Sequence, residues 1–202
     1  MKKIGLYALL LFLFALCVYP FLFLGYSFSF ENGIFDWAIY KRAITNPMTI
    51  RSFWNTMVVC GSTVLISTLI SLPLAWLFTR TDLALKGVWR TIFCLPYAIP
   101  PFIGAIAWIY LANPSNGLLK DLIPGINIYS RPGLIFVMSS FFYTFILINL
   151  LSTLEKIDPT LEEAAKISGA SSWQVFLKIT FPLIVPSLIS GMLLAFLSAI
   201  AN

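Results

Sequence analysis

Charge is absent from five stretches of this chain, residues 4–30, 52–79, 91–119, 132–154 and 179–202, and Lys, Arg, Asp and Glu gather in the short connections between them. Each stretch supplies the roughly 20 apolar residues that a helix rising about 1.5 Å per residue needs to cross about 30 Å of hydrocarbon. The pattern predicts five membrane-spanning helices and an all-α, polytopic membrane helix bundle. Pro20 and Pro73 fall inside the first and second stretches, where each can kink a helix. The sequence LPYAIPPFIG places Pro96, Pro100 and Pro101 early in the third. Adjacent prolines remove two helix donors and clash with the preceding turn, so regular helix is expected to fail there. Carbonyls freed at membrane depth need other protein or a water-lined path, so this segment reads either as a hinge or pathway-lining element or as a packed kink.

Composition agrees with a membrane location: 59% of the 202 residues are apolar, 13 are Lys or Arg, 8 are Asp or Glu, and the mean hydropathy is +0.91, far from a soluble domain. Having no histidine, the chain cannot perform His acid–base catalysis, HExxH zinc hydrolysis or His-ligated haem chemistry. Cys17, Cys60 and Cys94 lie in three different stretches without CxxC spacing and read as small buried apolar residues rather than metal ligands. No GxxxxGK[ST] phosphate cradle is present, so this chain does not hydrolyse ATP by itself. Neither catalytic nor cofactor-binding residues are assigned to this chain.

The formal charge of +5 is spread over short connections with no basic stripe for nucleic acid, and its distribution reads as topology. With Lys2 and Lys3 inside, eight basic residues fall on the cytoplasmic side and five (Lys41, Arg42, Arg51, Lys120, Arg131) outside, predicting a cytoplasmic N-terminus in a multi-pass cell-membrane protein. Trp54, Trp108 and Tyr110 then sit at outer ends of crossings, Trp76 and Trp89 at inner ends. Turn signals mark the outer connections: ENG and TNP within 31–51, and ANPSNG, IPG and SRPG within 112–132. No crossing carries an ionisable side chain at its centre, as a proton-driven transporter or voltage-gated channel requires. A membrane-embedded enzyme would need a carboxylate cluster or a nucleophile with its base at that depth. The polar residues Ser139, Ser140, Thr144 and Asn149 read equally as pathway groups or as interhelical hydrogen-bond partners.

Residues 155–182, EKIDPTLEEAAKISGASSWQVFLKITFP, are longer than a connector needs. Asp158 is an N-cap with Pro159 at the first helical position, and Glu162 and Glu163 complement the positive end of the helix dipole. Gly169 is suited to end that helix in the left-handed conformation. Ser171 and Gln174 have capping-box spacing for a second helix. Leu161, Ala164, Ala165 and Ser168 form one small, smooth face; Trp173, Phe176 and Leu177 form an apolar stripe on the second helix, and Pro182 marks a turn into the last crossing. Alanines beside carboxylates suit a protein groove better than an anionic membrane surface.

Glu163, Ala164 and Ala165, followed by Gly169, Ile179 and Pro182, resemble the EAA loop of the membrane subunits of binding-protein-dependent ABC importers. The resemblance spans about residues 51–202, taken as an incomplete type 1 permease core holding the 155–182 loop, with residues 1–50 as an N-terminal helix and external loop. LPYAIPPFIGAIAW and GASSWQVFLKITFPLIVPSLISG are most similar to the ferric iron branch, with thiamine, phosphonate and polyamine importers near it. The resemblance implies a coupling helix seated in an ATP-binding cassette subunit, an external solute-binding protein and a second permease subunit or half. ATP would be bound by the partner subunit. Glu163 would either touch the ATPase or cap its own helix. Family cores usually have six crossings; five fit here, which suggests a fragment or a half-repeat.

Overall fold

The computed structural model describes residues 2–31, 34, 35, 37–123, 125 and 127–202. Asn32 and Gly33 of the ENG signal, and Pro124 of IPG, lie outside them. The chain divides into two units, Met1–Trp54 and Asn55–Asn202.

In the first unit, α1 (Lys2–Ser29) contains Pro20. Two-residue strands β1 (Phe30–Glu31) and β2 (Ile34–Phe35) pair antiparallel, with Phe30 opposite Phe35, and α2 (Trp37–Thr45) follows. Asn46 accepts the Met48 N–H at 2.9 Å and so caps the start of α3 (Pro47–Arg80). Cys17, expected to be buried, is exposed: within Leu9–Ser27 of α1 the most apolar stretch has none of its residues buried, so an apolar sequence context did not translate into burial.

The second unit contains the rest of α3, then α4 (Lys86–Cys94), α5 (Pro101–Ala112), α6 (Arg131–Leu154), α7 (Pro159–Ile167), α8 (Ser172–Val175) and α9 (Phe181–Ile200). Among the described residues four helical segments are long and apolar enough to cross a membrane: Leu9–Ser27, Pro47–Arg80, Arg131–Leu154 and Ser172–Ile200. The predicted third crossing is a bent pair of helices that together are long and apolar enough to serve as a broken span. Lys86–Ala98, closed by a 3₁₀ turn, meets Pro101–Ala112 at 101°. Ile99 and Pro100 between them are extended, since Pro100 and Pro101 cannot donate and the residue before a proline avoids the helical region. Tyr143 donates its hydroxyl to the Phe93 carbonyl at 2.6 Å just ahead of the break, and Tyr97 and Trp108 pack edge-on against Phe145 and Phe136 of α6.

Helix α6 is the centre of this unit. Ser130 caps it by accepting the Gly133 N–H, and Phe142, Ile146, Leu147, Leu150, Leu151 and Leu154 are all buried. On one side α3 turns Cys60, Thr63, Ser67, Ser71 and Ala75 inward; such small residues let membrane helices approach closely. Ser71 donates to the Tyr143 carbonyl at 2.7 Å. On the other side a Cβ added to Gly191 of α9 would lie 2.9 Å from the Ile146 Cα, so the two backbones are in direct contact. Ser187 donates to the Asn149 carbonyl along the same seam. The hydroxyls of Ser140 and Thr144 and the Asn149 amide bond back to carbonyls of their own helix, and Ser139 reaches the Thr63 carbonyl at 3.4 Å.

The expected turn at Pro182 is absent. Phe176–Thr180 forms a π-helical turn in which the Phe181 N–H bonds to the Phe176 carbonyl. That shift of register places Pro182 in the first turn of α9, where a missing donor costs little, and the helical path runs from Ser172 to Ile200.

The α6–α9 contact sets an expectation for substitution. Gly191→Ala should lower the thermal midpoint in detergent by several degrees, because overpacking against backbone costs about 1–3 kcal/mol. Gly61→Ala, whose added methyl meets nothing within 4 Å, should leave the midpoint unchanged or raised. Equal midpoints for both variants in differential scanning fluorimetry would remove the close-contact account.

Candidate functional site

The segment between α6 and α9 folds as the sequence directs. Asp158 accepts the Thr160 N–H at 2.9 Å, Pro159 opens α7, and Lys166 lies in its last turn. The hydrogen bonds from Thr160 hold the Asp158 carboxyl below the ordinary carboxylate range. At the other end Gly169 has φ +89°. Its N–H bonds to the Lys166 carbonyl while Ala170 N–H bonds to the Ala165 carbonyl, both at 3.0 Å. This pair of bonds is a Schellman stop, which needs a left-handed residue at that point. Ser171 and Gln174 then complete a reciprocal capping box at 3.3 and 2.9 Å. Two short helices are thus joined by a single glycine corner.

What fixes the corner to the bundle is Glu162. The Arg80 Nε donates to both Glu162 carboxylate oxygens, at 3.0 and 3.1 Å, and a second guanidinium nitrogen reaches the Ile157 carbonyl at 3.3 Å. Thr180 donates to the same carboxylate at 2.9 Å. Glu162 is 5% exposed. One carboxylate therefore ties α7 to the end of α3 and to the π-turn leading into α9. Both charges also suit their helix ends, Arg80 in the last turn of α3 and Glu162 in the first turn of α7. A second pair, Arg90–Glu155, joins α4 to the end of α6 nearby.

The site residues expected from sequence are distributed around this anchor. Glu163 and Ala164 are exposed, Ala165 is half-buried, Gly169 is exposed at the corner, Ile179 is half-buried in the π-turn and Pro182 is exposed. Asp158 performs the capping, so Glu163 is free of that duty. Leu161, Ile167 and Trp173 stand out beside it, 52, 88 and 66% exposed. Trp173 stacks on Phe176, which meets Trp76 of α3 edge-on at 5.3 Å. Glu162 and Glu163, alike in sequence as partners of the helix dipole, differ here: Glu162 is the buried anchor and Glu163 is exposed. A helix rotates about 100° per residue, so adjacent glutamates cannot share a direction, and the lone Arg80 closing the second uncharged stretch was the available signal.

At the opposite end of α3 and α6 a cavity of about 570 Å³ is lined by residues including Asn55, Cys60, Pro101, Arg131, Phe141 and Asn202. Arg131 donates to the Asn55 side-chain oxygen at 3.0 Å. Of the three prolines of the break, Pro101 lines this cavity. Among the described residues no cluster of three His, Cys, Asp or Glu is placed to hold a metal ion.

Residues 61–202 match a family model described as binding-protein-dependent transport system inner membrane component. The sulfate transport system permease protein CysT of Escherichia coli (strain K12) is 28% identical over 166 residues, 80% of this chain and 59% of that protein. The inner membrane ABC transporter permease protein YcjO of the same organism is 32% identical over 167 residues, 74% of this chain and 55% of that protein. The chain thus spans under three-fifths of the length of either relative. A crystal structure of a bacterial alginate ABC transporter, in complex with an alginate pentasaccharide-bound periplasmic protein, shares the fold at a TM-score of 0.78 and 24% identity, covering 96% of this chain and 72% of that one.

Two expectations follow from this geometry. Glu162→Ala strands Arg80 and should loosen α7 by about 3 kcal/mol, the cost of breaking a buried pair from one side, seen as faster hydrogen exchange across 157–170; exchange equal to that of Glu163→Ala would contradict the anchor. A carboxyl held below its ordinary value stabilises folded α7 above that value and loses the effect as pH falls through the depressed one. A spin label at residue 166 should therefore gain mobility only at acid pH, and Asp158→Asn, which keeps an acceptor without the charge, should flatten the response.

Proposed function

The chain belongs to the family of binding-protein-dependent transport system inner membrane components, and from that premise we propose that it is a permease subunit of an ATP-driven importer. In this reading α7 and α8 form the coupling element that an ATP-binding cassette subunit grips, and solute reaches the opposite face on an external binding protein. A second permease subunit or half completes the path. The N-terminus and the 155–182 segment face the cytoplasm, in keeping with the bias of basic residues.

The observation that carries this proposal is the division of labour between adjacent glutamates. Glu162 is consumed inside the protein, while Glu163, Ala164 and Ile167 are left outward on α7, a short helix stiffened at both ends, and Trp173 is left outward on α8. A partner that pushes on that face moves the ends of α3 and α9 with it, because the Glu162 carboxylate bridges to Arg80 and Thr180. Allosteric work of this kind requires an element with differential contacts in two states; the bond network makes α7 a lever rather than a tether. The break at Pro100 supplies a flexible joint beside the outer cavity, and Pro101 at its edge is in position to line the path.

For the solute, the CysT relative is named for sulfate, and among the side chains lining the outer cavity Arg131 is the one charged group, with no Asp or Glu beside it. A cavity with a guanidinium and no acidic side chain suits an oxyanion and offers a ferric ion no side-chain carboxylate. These two points favour a sulfate-like oxyanion over the ferric iron suggested by the sequence resemblance.

Glu163→Lys and Ile167→Asp should each abolish co-purification of the ATPase subunit while membrane insertion and thermal midpoint stay unchanged; full recovery of the ATPase with both variants would refute the coupling role. In cells carrying the complete transporter, labelled sulfate uptake should exceed labelled ferric citrate uptake, and the reverse order would restore the iron reading.

A further inference from the structure

At the end of the bundle that carries α7, helix α4 presents two chemistries side by side. Leu85, Val88, Trp89, Ile92 and Leu95 fall on one face at three- and four-residue steps and are 73, 53, 44, 50 and 56% exposed. Leu85 opens this face from a left-handed conformation, φ +56°. Beside it Thr79, Arg80, Lys86, Gly87, Arg90 and Glu155 border a cleft of about 440 Å³. Two of its three cations are matched: Arg80 by Glu162 and Arg90 by Glu155. Among the described residues Lys86 is matched by no carboxylate, and its hydrogen bond is a 3.5 Å contact to the Thr81 carbonyl. Asp82, in the same connection, is exposed and does not border the cleft.

We propose that this surface binds an anionic phospholipid, with the phosphodiester in the cleft against Lys86 and the acyl chains along the Leu85–Leu95 face. The match is of charge and of amphipathy together. The cleft and Glu162 behind it carry one net positive charge, which a phosphodiester neutralises, whereas a zwitterionic lipid brings its own cation. A free anion has no use for the apolar face. Basic pockets between membrane helices at the cytoplasmic surface take lipid phosphates in this way. Assignment to the inner leaflet rests on the reading of α7 as the coupling helix; the lipid site itself does not, and because it is measured on this chain alone, failure of ATPase co-purification leaves its result intact.

The purified chain in detergent, titrated with phosphatidylglycerol and phosphatidylcholine and read by native mass spectrometry, should retain phosphatidylglycerol about fivefold better, the worth of one cation near an anionic headgroup. Lys86→Glu should erase the preference, and Lys166→Glu, on α7 away from the cleft, should preserve it. Equal retention of the two lipids, a preference unchanged by Lys86→Glu, or displacement of the lipid by millimolar inorganic phosphate would each overturn the proposal. Should Lys86→Glu fail to fold, quenching in the otherwise unaltered protein decides: chain-brominated phosphatidylglycerol should quench a Trp89 component, identified by its loss in Trp89→Phe, more than brominated phosphatidylcholine, and equal quenching overturns the site.

Discussion

The Glu162 carboxylate holds together what the rest of this structure uses. It is buried among Arg80 at the end of α3, Thr180 ahead of α9 and, through the guanidinium, the Ile157 carbonyl after α6. A charged group at the margin of a bilayer has few ways to be satisfied, and an unpaired one is expensive. Three elements consequently meet at one point, and the short helix α7, too short to be stable alone, acquires the rigidity of the crossings it touches.

From that point the bundle can be followed outward. Helix α6 runs away from the anchor with α3 packed through small side chains on one side and α9 packed through Gly191 on the other. In lipid such close contact takes the place of hydrophobic expulsion as the source of association. The π-turn at Phe176–Thr180 lets the lever continue into α9 without a corner, so Pro182 interrupts nothing. The bent pair α4–α5 is held to α6 by aromatic contacts and by Tyr143, and its helical path is interrupted at Ile99 and Pro100.

Much of this was legible in the sequence because the signals were local. Uncharged stretches gave four long apolar helices and the bent pair, and Asp158, Gly169, Ser171 and Gln174 gave both ends of α7 and the start of α8, since caps are set by residues within one turn. The break at Pro100 and Pro101 was equally local. What escaped was non-local or directional. Arg80 lies 82 positions before Glu162, and nothing in a linear pattern joins them. The corner expected at Pro182 failed because a shift in hydrogen-bond register, invisible to composition, absorbed it. Cys17 was expected to be buried because an apolar sequence context was equated with burial in protein, whereas the apolar stretch of α1 is exposed.

The central claim is that α7 and the end of α3 move as one body. Spin labels at Lys166 and Leu77 in the assembled transporter, measured by double electron–electron resonance, should give one narrow distance distribution whose centre is the same with and without bound nucleotide. A broad distribution, or a centre that shifts when nucleotide binds, would show that the lever is uncoupled from the bundle and contradict the account.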